Sequence, residues 1–125
     1  MILSTIRMTI HGEKRDEALK ILRSMAEQFK VRRACLSCRV YEDSHEGNVL
    51  MIQEIWKSGE ELERHLRSDE YHNVLLVMEM ALEQPEIRFD TISSSAGIET
   101  IEKARNSNPQ IAKGTDCKDT YDHGS

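Results

Sequence analysis

No stretch of this chain stays apolar for the roughly 18–20 residues that a membrane-crossing helix needs, so no membrane partner is expected. Its opening residues, Met-Ile-Leu-Ser-Thr-Ile-Arg, lack the basic region and long apolar core of a secretory signal and read as a first strand. Cysteines number three, an odd count that builds no even set of disulfides, and the cytoplasm, which keeps thiols reduced, is the expected compartment. Positive charge is also scarce: 17 Lys and Arg against 22 Asp and Glu give a net charge of −5. That balance excludes the basic face by which a protein grips nucleic acid or an anionic membrane. Aromatic residues make up only 5%, and the strands carry no stacking platform for RNA bases. The six glycines are scattered, forming neither a phosphate loop nor a dinucleotide fingerprint.

What is present is enough for one core, in 125 residues that are 38% hydrophobic. Ile6, Met8 and Ile10 share one parity and Thr5, Arg7 and Thr9 the other, which predicts a strand over Ile2–Ile10. From Glu13 the period changes. Ala18, Ile21, Leu22, Met25, Ala26 and Phe29 recur at three- and four-residue steps, with acids early and bases late, as a helix dipole favours. Cys35–Tyr41 and Asn48–Lys57 read as the next two strands around a polar hairpin loop. Ser58-Gly59-Glu60-Glu61 has the form of a capping box opening a short helix to Leu66. Ser68 predicts a second cap, with a helix from Asp69 to about Glu83 whose inward residues are Tyr71, Val74, Leu75, Met78 and Leu82. Pro85 closes it, and Glu86–Ile92 reads as the last strand.

The order β-α-β-β-α-β predicts an α+β fold of the ferredoxin-like, split βαβ kind: a four-stranded antiparallel sheet with helices on one face. The domain is expected over residues 1–95. Residues 96–125 then form an extension, a short helix over Ile98–Arg105 and a polar tail with too little to bury to become ordered. The third strand is apolar on both parities, with Leu50, Ile52 and Trp56 on one and Val49, Met51 and Ile55 on the other. One layer of helices covers one side only, so a second copy of the sheet is the expected cover for the other, making a homodimer.

Cys35 and Cys38 are three apart, and in a regular strand they point to opposite faces, which argues against a shared metal or redox pair. No metal site is expected. His65 and His72 lie near helix ends without the spacing of a helical metal pair; each reads either as a surface or capping residue or as a site imidazole. Glu54 shares the parity of Trp56 and should face the helices. It either touches water near an edge or orients His65 beside a pocket.

The run Gln53 to Tyr71, with Glu54-x-Trp56, the helix-opening Ser58, His65-Leu66 and the helix-opening Ser68, resembles the antibiotic biosynthesis monooxygenase family. Arg7 to Gly12 and Ala34 to Ser37 resemble its first turn and second strand, and the likeness covers about residues 2–92. It implies a dimeric α+β barrel with a small-molecule cleft between helices and sheet in each subunit, and no cofactor. The family includes cofactor-free monooxygenases of quinols and anthrones, an isomerase of a signalling furanone derivative, and haem-degrading enzymes. The haem branch's strand-one Asn, its Trp and its iron-ligating His fall here at Ile6, His65 and Leu75, so haem is not an expected ligand.

The resemblance thus implies a cofactor-independent monooxygenase of a quinol-like or polyphenolic small molecule. His65 is then the base or donor, Glu54 its orienting partner, and Trp56, Tyr71 and His72 the substrate-binding wall. An isomerase or lyase of a small carbonyl compound, using the same imidazole, and a non-catalytic small-molecule-binding dimer are the alternatives.

Overall fold

The computed structural model describes residues 1–107, and the expected polar tail beyond them lies outside the described residues. Four strands form one antiparallel sheet: β1 (Ile2–Thr9), β2 (Cys35–Glu42), β3 (Val49–Trp56) and β4 (Glu86–Thr91). They lie in the order β2-β3-β1-β4, with β1 between β3 and β4. Helix α1 (Arg15–Lys30) links β1 to β2, and α2 (Gly59–Leu66) and α3 (His72–Met78) link β3 to β4. This is the ferredoxin-like arrangement that the sequence predicts.

Strand parity sorts the faces. Ser4, Ile6 and Met8 of β1 and Leu50, Ile52, Glu54 and Trp56 of β3 are buried on the helix side, with Ala18, Leu22, Met25 and Phe29 of α1 above them. Each large apolar side chain so buried contributes about 1.5–3 kcal/mol relative to exposure, which is what holds α1 on the sheet. The hairpin between β2 and β3 is pinned by Asp43, whose carboxylate accepts from the amides of His45 (2.8 Å) and Glu46 (2.9 Å).

Two expectations are corrected. The helix after Ser68 does not run to Glu83: a 3₁₀ turn at Asp69–Tyr71 leads into α3, which stops at Met78. The backbone there turns to the end of β1, with Leu82 N donating to Thr9 O (2.8 Å) and Ile10 bridging to Ala81. Met80 N and Ala81 N close the end of α3 on Val77 O (2.9 Å) and Met78 O (3.2 Å), so the Leu82 amide is the one that β1 takes from a longer helix. Leu75 and Leu82 are therefore 45% and 59% exposed, while Val77 takes the buried place.

The second correction concerns the cysteines. A bulge between Cys35 and Ser37 shifts the register, so Cys35 pairs with Trp56 and Cys38 with Glu54. An extra residue in one strand flips the faces beyond it. Both thiols are free and buried on the helix side.

Residues 1–93 form one compact unit, and the described residues from 94 to 107 belong to a second. In the second, α4 (Ile98–Ser107) extends two residues beyond the expected Arg105, and the Glu99 side chain accepts from Gly97 N at 2.7 Å to start it. Among the described residues no helix is long and apolar enough to cross a membrane.

Candidate functional site

The site is assembled from local rules on either side of Ser58. Parity on β3 places Glu54 and Trp56 under the helices, and the indole Nε1 donates to Glu54 Oε1 at 2.8 Å. Ser58 then caps α2, its hydroxyl accepting from Glu61 N at 3.3 Å. The helix returns over the sheet with Leu62 and His65 inward, one turn apart. At its end the Ser68 hydroxyl donates to His65 O (2.7 Å) and accepts from Tyr71 N (3.3 Å), fixing both residues relative to each other.

The imidazole of His65 is enclosed by rings from three elements. Its face stacks on Trp56, with centroids 4.2 Å apart and planes at 29°. The rings of Phe29 and Tyr71 meet it edge-on at 4.5 and 5.1 Å. Its Nε2 lies 3.2 Å from Glu54 Oε1, the oxygen that also accepts from Trp56. Both members of the contact are 1% exposed, so neither the surface-histidine reading nor the water-touching carboxylate reading holds.

The contact is one of proximity, since Nε2 makes no hydrogen bond to that oxygen. Among the described residues, neither ring nitrogen of His65 nor Glu54 Oε2 has a protein hydrogen-bond partner. Three polar atoms of this pair are thus buried without a protein hydrogen bond.

Glu54 colours its surroundings. Burial first, and then the Glu54 charge, push the Tyr71 phenol up to about 12 and the Cys38 thiol up to about 12. Cys35 is raised by the same two causes. These thiols stay protonated at neutral pH and are poor nucleophiles.

A cleft of about 430 Å³ opens above this cluster, with Trp56 and His65 at its buried inner wall. Its rim carries Arg32, Arg33, Lys57, Glu61 and Arg64, with Ala34 between them. Volume and mixed lining are those of a small-molecule site. The structure brings together Glu54, Trp56, His65 and Tyr71 from the sequence-derived set. It leaves out His72, which is exposed and lines a separate shallow cleft with Leu66, Arg67 and Asp69. Phe29 and the basic rim were not foreseen. Phe29 belonged to the helix's apolar stripe, and the rim residues come from three segments that only folding joins. Among the described residues, no cluster of three or more His, Cys, Asp or Glu side chains is placed to hold a metal.

The sequence pattern of antibiotic biosynthesis monooxygenases matches residues 1–75, a span that holds Glu54, Trp56, His65 and Tyr71. No curated protein matches the chain. Among solved structures, a conserved protein from Methanosarcina mazei Go1 is 24% identical, with 71% of this chain and 89% of that one covered and a TM-score of 0.67. The Rv0793 protein of Mycobacterium tuberculosis is 20% identical, with 77% and 98% covered and a TM-score of 0.69. A protein described as an antibiotic biosynthesis monooxygenase is 17% identical, with 75% and 100% covered and a TM-score of 0.68. At such identities the likeness carries the fold alone.

Proposed function

The chain belongs to the antibiotic biosynthesis monooxygenase family, and from that premise we propose that it oxygenates a quinol-like or polyphenolic small molecule without a cofactor. The observation that supports this most directly is the buried His65–Glu54 contact at 3.2 Å, whose histidine lines the inner wall of the cleft. Nδ1 of His65 accepts the proton of a substrate hydroxyl; the O–H electron pair stays on the substrate oxygen and spreads into its ring. The electron-rich anion then reduces oxygen itself. Where the attacked carbon is a ring CH₂, as in an anthrone, it becomes a carbonyl, and the second oxygen atom leaves as water with the two hydrogens. Substrate supplies all the electrons, so the protein need supply only a base, its orientation and a dry wall.

Glu54, 3.2 Å from Nε2, offsets the positive charge of the imidazole once the proton has moved. Trp56 and Tyr71 fix the ring from its face and edge. His72 has no part in this cleft. The same reading puts the protein in the cytoplasm, where Cys35 and Cys38 remain free thiols, and pairs two copies through the side of the sheet that faces away from α1, α2 and α3.

The test is oxygen uptake when anaerobic protein and menadiol are mixed into aerated buffer, above the rate of spontaneous oxidation. His65→Ala should lower the protein-dependent rate by on the order of 10²–10⁴-fold, the usual worth of a general base. Because the ring is fully buried, the same change should also destabilise the fold, by about 2–4 kcal/mol for the cavity left among Phe29, Trp56 and Tyr71. Rates are therefore compared at a temperature where circular dichroism shows both proteins folded. Full activity in folded His65→Ala would sink the proposal.

A further inference from the structure

We propose that the substrate of this cleft carries a fixed negative charge, a carboxylate, beside its oxidisable hydroxyl, and that Arg33 and Lys57 bind it. The inference rests on the cleft being the substrate site but not on any reaction with oxygen.

The chain is acidic overall, at net −5, yet the cleft rim gathers four cations and a single acid. Two of the four are already paired: Arg32 with Glu70, and Arg64 with Glu61 at 3.0 Å. No ion pair involves Arg33 or Lys57 among the described residues, and both are exposed. The backbone brings them together: Lys57 N donates to Ala34 O at 3.0 Å, so the end of β3 lies against the segment that carries Arg33. Arg33 follows the last turn of α1, where a base is expected for the helix dipole alone. Lys57 follows the end of β3 and has no such reason to be there.

Position separates these cations from the chemistry of the inner wall. His65 and Trp56 are closed to bulk water, whereas the rim is solvated, and a charge there is too well screened to stabilise a transient anion deep in the cleft. A permanent anion seated at the rim gains two charge-assisted contacts instead. It also directs the molecule, because a carboxylate held at Arg33 and Lys57 sends the attached ring inward to Trp56 and His65. A cleft of about 430 Å³ accepts a two-ring compound of this kind.

The experiment is isothermal titration of the full chain, at neutral pH, with a hydroxynaphthoate and with the methylnaphthol that has a methyl group in place of the carboxylate. The hydroxynaphthoate should bind about tenfold or more tightly, as two partly solvated ionic contacts allow. Salt at about 1 M should shrink the difference. Arg33→Gln with Lys57→Gln should erase it, whereas Arg67→Gln, which removes one equal charge outside the cleft, should keep it. Equal binding of the two compounds, failure of the hydroxynaphthoate to bind, or a preference that survives the double change would overturn the inference. The oxygenase reading fails separately. If the charge preference holds while no hydroxyaryl compound drives oxygen uptake, that reading falls and the anion site stands; uptake without charge preference has the reverse meaning.

Discussion

At the scale of single residues, Glu54 is the costliest group in the fold. Its carboxylate is 1% exposed, accepts from Trp56 through Oε1, and has no protein partner for Oε2 among the described residues. A buried charge is retained against such a cost where it has chemical work, here holding an imidazole. Glu54→Gln keeps an oxygen for the indole N–H and removes the charge. The expected result is a melting temperature that is unchanged or raised, with oxygen uptake reduced on the order of 10²-fold because the imidazolium loses its counter-charge. Unchanged uptake would make the carboxylate structural only. Cys38 and Tyr71 give a second test at this scale. Their ordinary values of 9.0 and 10.0 both rise to about 12 in the fold, so the folded state binds protons that the unfolded chain has released. This contribution is fully present below about pH 9 and is lost as pH rises toward about 12. Urea titrations across that window should show a steady fall in stability, less steep in Tyr71→Phe. Much of this cluster was legible: strand parity named Glu54 and Trp56, and the capping box turned His65 back over them. The full burial of His65 was not legible, because Phe29 closes over it from a helix distant in sequence. Nor was the shared face of Cys35 and Cys38, which depends on a bulge that no period in the sequence announces.

At the scale of elements, the two serine caps do more than start helices. Ser58 sets where α2 begins and therefore which of its residues returns over Trp56. Ser68 ties the end of α2 to the turn that carries Tyr71, through one donated and one accepted bond. Ser68→Ala should cost about 0.5–2 kcal/mol, the usual worth of a cap, measured as a shift in denaturant midpoint. It should also raise KM, since His65 and Tyr71 lose their common anchor; a change in stability alone would mean that the cap has no role in the site. Caps were readable because they are local, a serine three residues before an acid or an aromatic. The end of α3 was not. Pro85 suggested a helix to Glu83, but the Leu82 amide bonds to Thr9 O of β1, more than seventy residues earlier in the chain. Non-local pairing of that kind overrides helix periodicity and leaves no mark in the local pattern.

At the scale of the whole molecule, the question is what covers the side of the sheet that faces away from α1, α2 and α3. There β1 and β3 present Leu3 opposite Ile55, and β3 and β2 present Met51 opposite Tyr41. Tyr41 is 41% exposed, and Leu3, Met51 and Ile55 are only partly buried. Apolar groups on one face, interrupted here by Gln53, are a liability in a monomer and an interface in an oligomer. Charge confines the patch: Arg7, with Asp43 at 3.7 Å and Glu46 at 3.9 Å, marks one end. A second copy related by a two-fold axis would present the same row to it, since the surface is then self-complementary. We therefore expect a homodimer closed through these faces, burying on the order of 2,000 Å² or more as obligate pairs of this type do. Sedimentation velocity should return the dimer mass at micromolar concentration, and the melting temperature should fall on dilution because folding and association are linked. Met51→Asp places a charge opposite Tyr41 within the row. It should shift the protein toward monomer mass, while Gln28→Asp, exposed on α1 on the other side of the sheet, serves as a control for charge alone. Wild-type protein that sediments as a monomer with a dilution-independent melting temperature would remove the partner from this face. The row of Leu3, Met51, Ile55 and Tyr41 would then need another cover.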